Sequence, residues 1–109
     1  MNFDEYQKLS RDTVAYPDPG NNYIYPTLGL AGEAGEVTNK IQKVIRDKGG
    51  KIGEEERKGI EGELGDVLWY LSQLATELGL SLDDVAKNNI EQLKSRKQRG
   101  VLHGSGDNR

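Results

Sequence analysis

The sequence predicts an all-α chain folded as a four-helix antiparallel bundle, and three observations carry that expectation. Apolar residues recur at steps of three and four in four separate stretches, the spacing of a helix face. Proline-rich or glycine-rich turn chemistry punctuates the gaps between them, as in PDPGNNYIYP (17–26) and KGGKIG (48–53). Charged residues make up 30% of the chain and aromatic residues only 6%, which suits helices with wet outer faces. At 109 residues the simplest reading is one domain, 1–109, with 98–109 as a candidate flexible tail. A bundle of this size buries a modest core and gains from oligomerisation.

The first predicted helix begins after Asn2, which caps it while Glu5 completes a capping box. Phe3, Tyr6, Leu9, Thr13 and Tyr16 keep helical spacing, and Pro17 and Pro19 end the run. The loop that follows carries Tyr23, Ile24 and Tyr25, which either fold back onto the bundle or offer a lid or a stacking surface for a base. The second helix is expected from Pro26, a good first-turn residue, to about Asp47. Its core stripe is Leu30, Ala34, Val37, Ile41, Val44 and Ile45. Gly29, Gly32 and Gly35 each cost a helix interior about 1 kcal/mol relative to alanine. Close approach of another helix or of a ligand would offset that cost.

The third helix is expected over about 54–78, with Ile60, Leu64, Val67, Leu68, Leu71, Leu74, Ala75 and Leu78 as its stripe. Trp69 points away from this stripe, and an unpartnered tryptophan is unusual on a small domain. It should therefore meet another subunit or another part of the chain. Gly79 closes this helix, and Ser81 caps the next, with Asp84 in the capping-box position and Leu80 and Val85 as a hydrophobic staple. The fourth helix runs to about Arg99, and Asn89 stands on its stripe where an apolar residue is expected. Buried there, its amide would need a partner, either backbone or a polar site. The tail from Arg99 through His103 to Arg109 either stays loose or wraps onto the bundle.

Function is concentrated in two acidic signatures. Glu33-Ala34-Gly35-Glu36 and Glu63-Leu64-Gly65-Asp66 each place two carboxylates three residues apart, on one helix face. Glu33 and Glu63 lie roughly 70–75° from the centres of their stripes, and Glu36 and Asp66 roughly 130–135°, on the same side. Two antiparallel helices packed on those stripes bring four acids together at the edge of the seam. Such a cluster repels itself unless a cation sits within it. With no cysteine and a single histidine, His103, in the tail, the donors are hard oxygens, suited to Mg²⁺, Mn²⁺ or Ca²⁺ rather than Zn²⁺. A di-iron bundle would need Glu-x-x-His pairs, which are absent. Carboxylate-held Mg²⁺ invites a phosphate ligand, and Lys40, Lys43, Lys87, Lys94, Arg96 and Arg99 are the cations available to meet one.

The other function classes recede. Lys plus Arg total 15 against 18 acids, so the basic excess of a nucleic-acid binder is missing. No apolar run reaches a membrane span and the N-terminus lacks a signal-peptide core, so a soluble cytoplasmic protein is expected.

The segments GLAGEAGE, ELGDVLWYL and NNIEQLKSR, spread over about 27–100, resemble the MazG-like nucleoside triphosphate pyrophosphohydrolases of the all-α NTP pyrophosphatase superfamily. The resemblance implies a four-helix fold that is a dimer or a dimer of dimers. It implies Mg²⁺ (Mn²⁺ as substitute) on Glu33, Glu36, Glu63 and Asp66. It implies water attack on the α-phosphorus of an NTP or dNTP, with Glu36 by preference, or Glu33, orienting or deprotonating the water. Asn89, Lys94 and Arg96 match the part of the family's last helix that contacts metal-bound substrate. The competing expectation is a non-catalytic helical module that dimerises or senses nucleotide through the same fold.

Overall fold

The computed structural model describes residues 1–109 and contains four helices and no strand: α1 (Phe3–Arg11), α2 (Ile24–Lys48), α3 (Glu54–Glu77) and α4 (Leu82–Gln98). No helix is long and apolar enough to cross a membrane.

Local chemistry sets the helix ends. The Glu5 backbone N–H donates to the Asn2 side-chain oxygen at 2.9 Å, and the Asp84 N–H donates to the Ser81 hydroxyl at 3.2 Å. Each satisfies a donor that the first turn leaves without a helical partner. Gly79 adopts φ 70°, which a residue with a Cβ rarely takes, and so turns the chain from α3 into α4.

α1 stops at Arg11, short of the helix expected to reach Tyr16. Thr13 turns its hydroxyl back to the Ser10 carbonyl at 2.9 Å, and the Thr13 and Val14 amides make three-residue turns rather than α-helical ones. Tyr16 still reaches the core at 6% exposure, but it does so from the loop.

The α2–α3 hairpin is the largest packed unit. α1 lies across α3 and touches α4, while α2 packs on neither α1 nor α4. The four helices expected from sequence are present, but within one chain they form an open arrangement. The radius of gyration is 16.8 Å, against about 13 Å for a compact chain of this length. The apolar stripes are accordingly only half covered. Val44 and Ala75 are buried, whereas Leu28, Ile45, Leu64 and Leu78 stay exposed, Leu64 at 54% and Ile45 at 65%.

The deepest contact is polar and lies on α3's other side. Ser72 and Gln73 have no exposed surface, and the Gln73 amide donates to the Ser10 hydroxyl at 2.8 Å. Ser10 and Ser72 share a further hydroxyl–hydroxyl bond at 3.1 Å. Gln7 ties α1 to the α3–α4 corner, donating to Thr76 and the Leu80 carbonyl and accepting from the Leu82 N–H.

α4 is covered at its first turn, where Leu82 is 3% exposed, and at its last, where Arg96 is buried, while residues 87–94 between them are exposed. Asn89, expected on a buried stripe, is therefore exposed and needs no internal partner. Trp69 meets its own chain: its indole N–H donates to the Thr13 hydroxyl at 2.8 Å, and its ring sits edge-on to Tyr16 and Tyr70. The tail wraps on itself at the end of α4. Arg109 donates to the carbonyls of Val101, Leu102 and Gly106, and Arg99 donates to the Arg109 carbonyl.

Candidate metal centre

α2 and α3 run side by side, so acid pairs placed at matching offsets meet across their seam. Glu33, Glu63 and Asp66 each offer a carboxylate oxygen such that all three atoms lie within 4.8 Å of one another. Glu33 and Glu63 are half-buried and Asp66 is exposed. Glu36, one turn along α2, is exposed and stands outside this trio.

Like charges at such distances repel by a few kcal/mol at an effective dielectric near 20, less where water screens them. Glu33 registers the strain. Partial burial first, then the Asp66 charge, the adjacent Glu63 carboxylate and the Glu36 charge, push its carboxyl above the ordinary value. One internal cation reaches the cluster: the Lys40 ammonium stands 3.8 Å from a Glu63 oxygen. That is too long for a tight charge-assisted hydrogen bond. The trio thus has converging hard oxygens, excess negative charge and no nitrogen or sulfur donor. This donor set fits a hard divalent cation.

Aromatic residues wall the site on one side. Tyr70 follows Asp66 by one turn and lays its ring on α2 where Gly29 has no side chain. A Cβ on Gly29 would fall 2.2 Å from the Tyr70 ring. This accounts for one glycine of the α2 series. Gly32 and Gly35 face nothing within 4 Å in the chain. Burial first, then Tyr25, Glu33 and Asp66, raise the Tyr70 hydroxyl above its ordinary pKa. Tyr25 stacks on Tyr16 at 5.2 Å between ring centroids. The three residues expected in the loop thus divide: Tyr25, at the start of α2, stacks one face on the Tyr16–Trp69 cluster, while Tyr23 and Ile24 make no aromatic contact and stay exposed.

The residues on α4 stand apart. Lys94 is exposed, in a shallow groove with Phe3, Ala86, Lys87 and Ile90. Arg96 is buried, and one of its terminal nitrogens donates to the Asp107 carbonyl at 3.1 Å while Nε has no partner.

Sequence reasoning passed over one acid altogether. Glu77, at the last turn of α3, has a fully buried side chain. It accepts from the backbone N–H of Gly20 and Asn22, from the Tyr16 hydroxyl at 2.7 Å and from Arg11 at 2.7 Å. Burial alone would raise its pKa, but these four donors outweigh burial and hold it down at about 2. The available signal was positional. A carboxylate at a helix C-terminus opposes the dipole and needs compensation.

Residues 25–101 match the family model described as the MazG nucleotide pyrophosphohydrolase domain. The chain is also similar to the Gene 37 protein of Mycobacterium phage L5, 48% identical over 114 residues and covering the whole of both chains. No solved structure matches it.

Proposed function

The chain belongs to the MazG nucleotide pyrophosphohydrolase domain family, and from that premise we propose that it hydrolyses an NTP or dNTP to the monophosphate and pyrophosphate in a Mg²⁺-dependent reaction. Mn²⁺ is a competent substitute, and the biological role is clearance of unwanted nucleotides from the pool. The observation that carries this reading is the convergence of Glu33, Glu63 and Asp66 within 4.8 Å. Glu36, one turn from Glu33, completes the acid set from the open side.

When bound, the metal ion supplies charge neutralisation at the phosphates and orients water. Glu33, Glu63 and Asp66 would hold the ion. Glu36, exposed and unpaired by any cation, orients the attacking water and accepts its proton, with Glu33 as the second candidate. The new bond forms between water oxygen and the α-phosphorus. The bond from the α-phosphorus to the bridging oxygen breaks, and pyrophosphate leaves with that oxygen. Asn89 and Lys94, both exposed, are proposed as substrate contacts. Arg96 joins them on release from the Asp107 carbonyl that holds it in this structure.

The chain acts as a homodimer or a dimer of dimers. Leu28, Ile45, Leu64 and Leu78 stay exposed, and Gly32 and Gly35 meet nothing within 4 Å in the chain. A second copy would cover that apolar surface, which a small single chain rarely leaves in water. Light scattering that gives the mass of one chain counts against this assignment.

The deciding assay is pyrophosphate release from a panel of NTPs and dNTPs, with and without Mg²⁺. Metal-dependent release from at least one nucleotide is expected, and Glu36→Gln and Glu63→Gln should fold normally yet lose at least about 100-fold in rate. Variants as fast as the parent would overturn the site assignment. Thermal stabilisation by nucleotide without turnover would favour a sensing module.

A further inference from the structure

Among the cations that the sequence offers for phosphate, the structure separates Lys40 from the rest. It sits on α2 one turn beyond Glu36, and its ammonium is 3.8 Å from Glu63, one of the three clustered acids. Of the four ion pairs in the chain, no other touches that cluster. The side chain crosses to α3 over Gly59: a Cβ there would lie 3.6 Å from the ammonium nitrogen and 3.8 Å from the last two methylenes. These are ordinary contact distances, so the Lys40 side chain lies along the α3 backbone at Gly59, one turn before Glu63. The 3.8 Å gap marks a loose pair, with the side chain still 39% exposed. Lys40 therefore rests near Glu63 without being committed to it.

Charge balance gives this placement a purpose. A triphosphate brings more negative charge than a divalent ion removes, and the acids holding that ion add their own. Positive charge must come from the protein. Arg96 is bonded to the tail, and α4 does not pack on α2. Beyond Lys40, a cavity of about 250 Å³ between α2 and α3 also holds Lys43 and Lys48. Lys48 is engaged by Glu56 at 3.3 Å. Lys40 lines the same cavity and is the residue of that group that faces the acids.

We propose that Lys40 is a phosphate-binding residue of this site. It rests on Glu63 in the metal-free protein and passes to the phosphate oxygens of the metal-bound nucleotide, on the part that departs as pyrophosphate. This rests on the metal-dependent reading above. A protonated lysine can donate three hydrogen bonds, and placed there it stabilises the negative charge that develops on the leaving group.

The test is calorimetric titration of the full chain, first with Mn²⁺ alone and then with inorganic pyrophosphate on the Mn²⁺-loaded protein. Parent, Lys40→Met and Lys40→Arg are compared after circular dichroism shows equal helicity. Lys40→Met should bind Mn²⁺ as tightly as the parent or several-fold more tightly, because a competing cation is gone. Its affinity for pyrophosphate should fall about tenfold, the size of one charge-assisted hydrogen bond. Lys40→Arg should recover most of that loss. Unchanged pyrophosphate affinity in Lys40→Met would overturn the proposal. So would Mn²⁺ and pyrophosphate affinities falling together, which would make Lys40 a support for the acids alone. A parent that takes up no Mn²⁺ would remove the metal reading itself, and the role of Lys40 with it.

Discussion

Two carboxylate environments on the same helix set the terms for this protein. Early in α3, Glu63 and Asp66 face Glu33 across the seam, with Lys40 as a single loose counter-ion. At its last turn, Glu77 is buried among Arg11, Tyr16 and two loop amides. One region partly buries an acid among other acids, which pushes Glu33 up; the other surrounds an acid with donors and holds Glu77 at about 2. The same functional group is thus structural where the fold satisfies it and available for chemistry where the fold does not. The first region costs the protein stability unless a cation arrives, and the second supplies stability from within the chain.

Substitution at Glu77 should have the largest effect. Glu77→Gln leaves a partly buried Arg11 facing a neutral amide and should destabilise the fold by about 3 kcal/mol in urea unfolding. A loss below about 1 kcal/mol would erase the contrast between the regions.

The pH dependence should carry the same contrast. The folded pKa of Glu77, about 2, lies below its ordinary value of 4.5. Its contribution is therefore complete above about pH 4.5 and is lost as the pH falls towards 2, on the order of 3 kcal/mol in all. Glu33 is displaced the other way, so in metal-free protein its ionised form costs stability. That cost is absent below pH 4.5 and grows as the pH rises through its raised value. Chemical denaturation across this range should show Glu77→Gln flattening the acid limb alone.

Gly29→Ala would force a Cβ into the Tyr70 ring and should cost about 1–3 kcal/mol by overpacking. Gly32→Ala meets nothing within the chain. It should gain up to about 1 kcal/mol of helix propensity in an isolated chain, and should weaken self-association if a second copy packs on that face. Thermal melts followed over a concentration series separate the two outcomes.

Glu33→Gln carries the smallest expected effect and the opposite sign to Glu77→Gln. In metal-free protein it should leave stability unchanged or raise it by less than about 1 kcal/mol, because it removes repulsion at a partly exposed site. A clear destabilisation would mean that Glu33 already has a partner.

Much of this was legible in the sequence, for reasons that differ by element. α2, α3 and α4 end within about two residues of the expected positions because caps and glycines act locally, as at Ser81 and Gly79. The first helix was read too long because apolar spacing persisted through Tyr16, although that residue's partners, Glu77 and Arg11, draw it off the helix axis. The acid pairs were visible because three-residue spacing fixes a helix face. The trio follows from antiparallel packing of α2 on α3; Glu36 lies outside it although Asp66, at the matching rotation on α3, lies within it. Glu77 was hidden because all four of its donors, Arg11, Tyr16, Gly20 and Asn22, lie more than fifty positions away. Asn89 was misplaced because its stripe implied cover that the open arrangement of α4 does not provide within one chain.

The most direct test of the acid site is anomalous scattering from a crystal soaked in Mn²⁺. The geometry predicts a peak bounded by the carboxylates of Glu33, Glu63 and Asp66, absent when Asp66 is replaced by Asn. A peak elsewhere on the chain, or none at these three side chains, would contradict it.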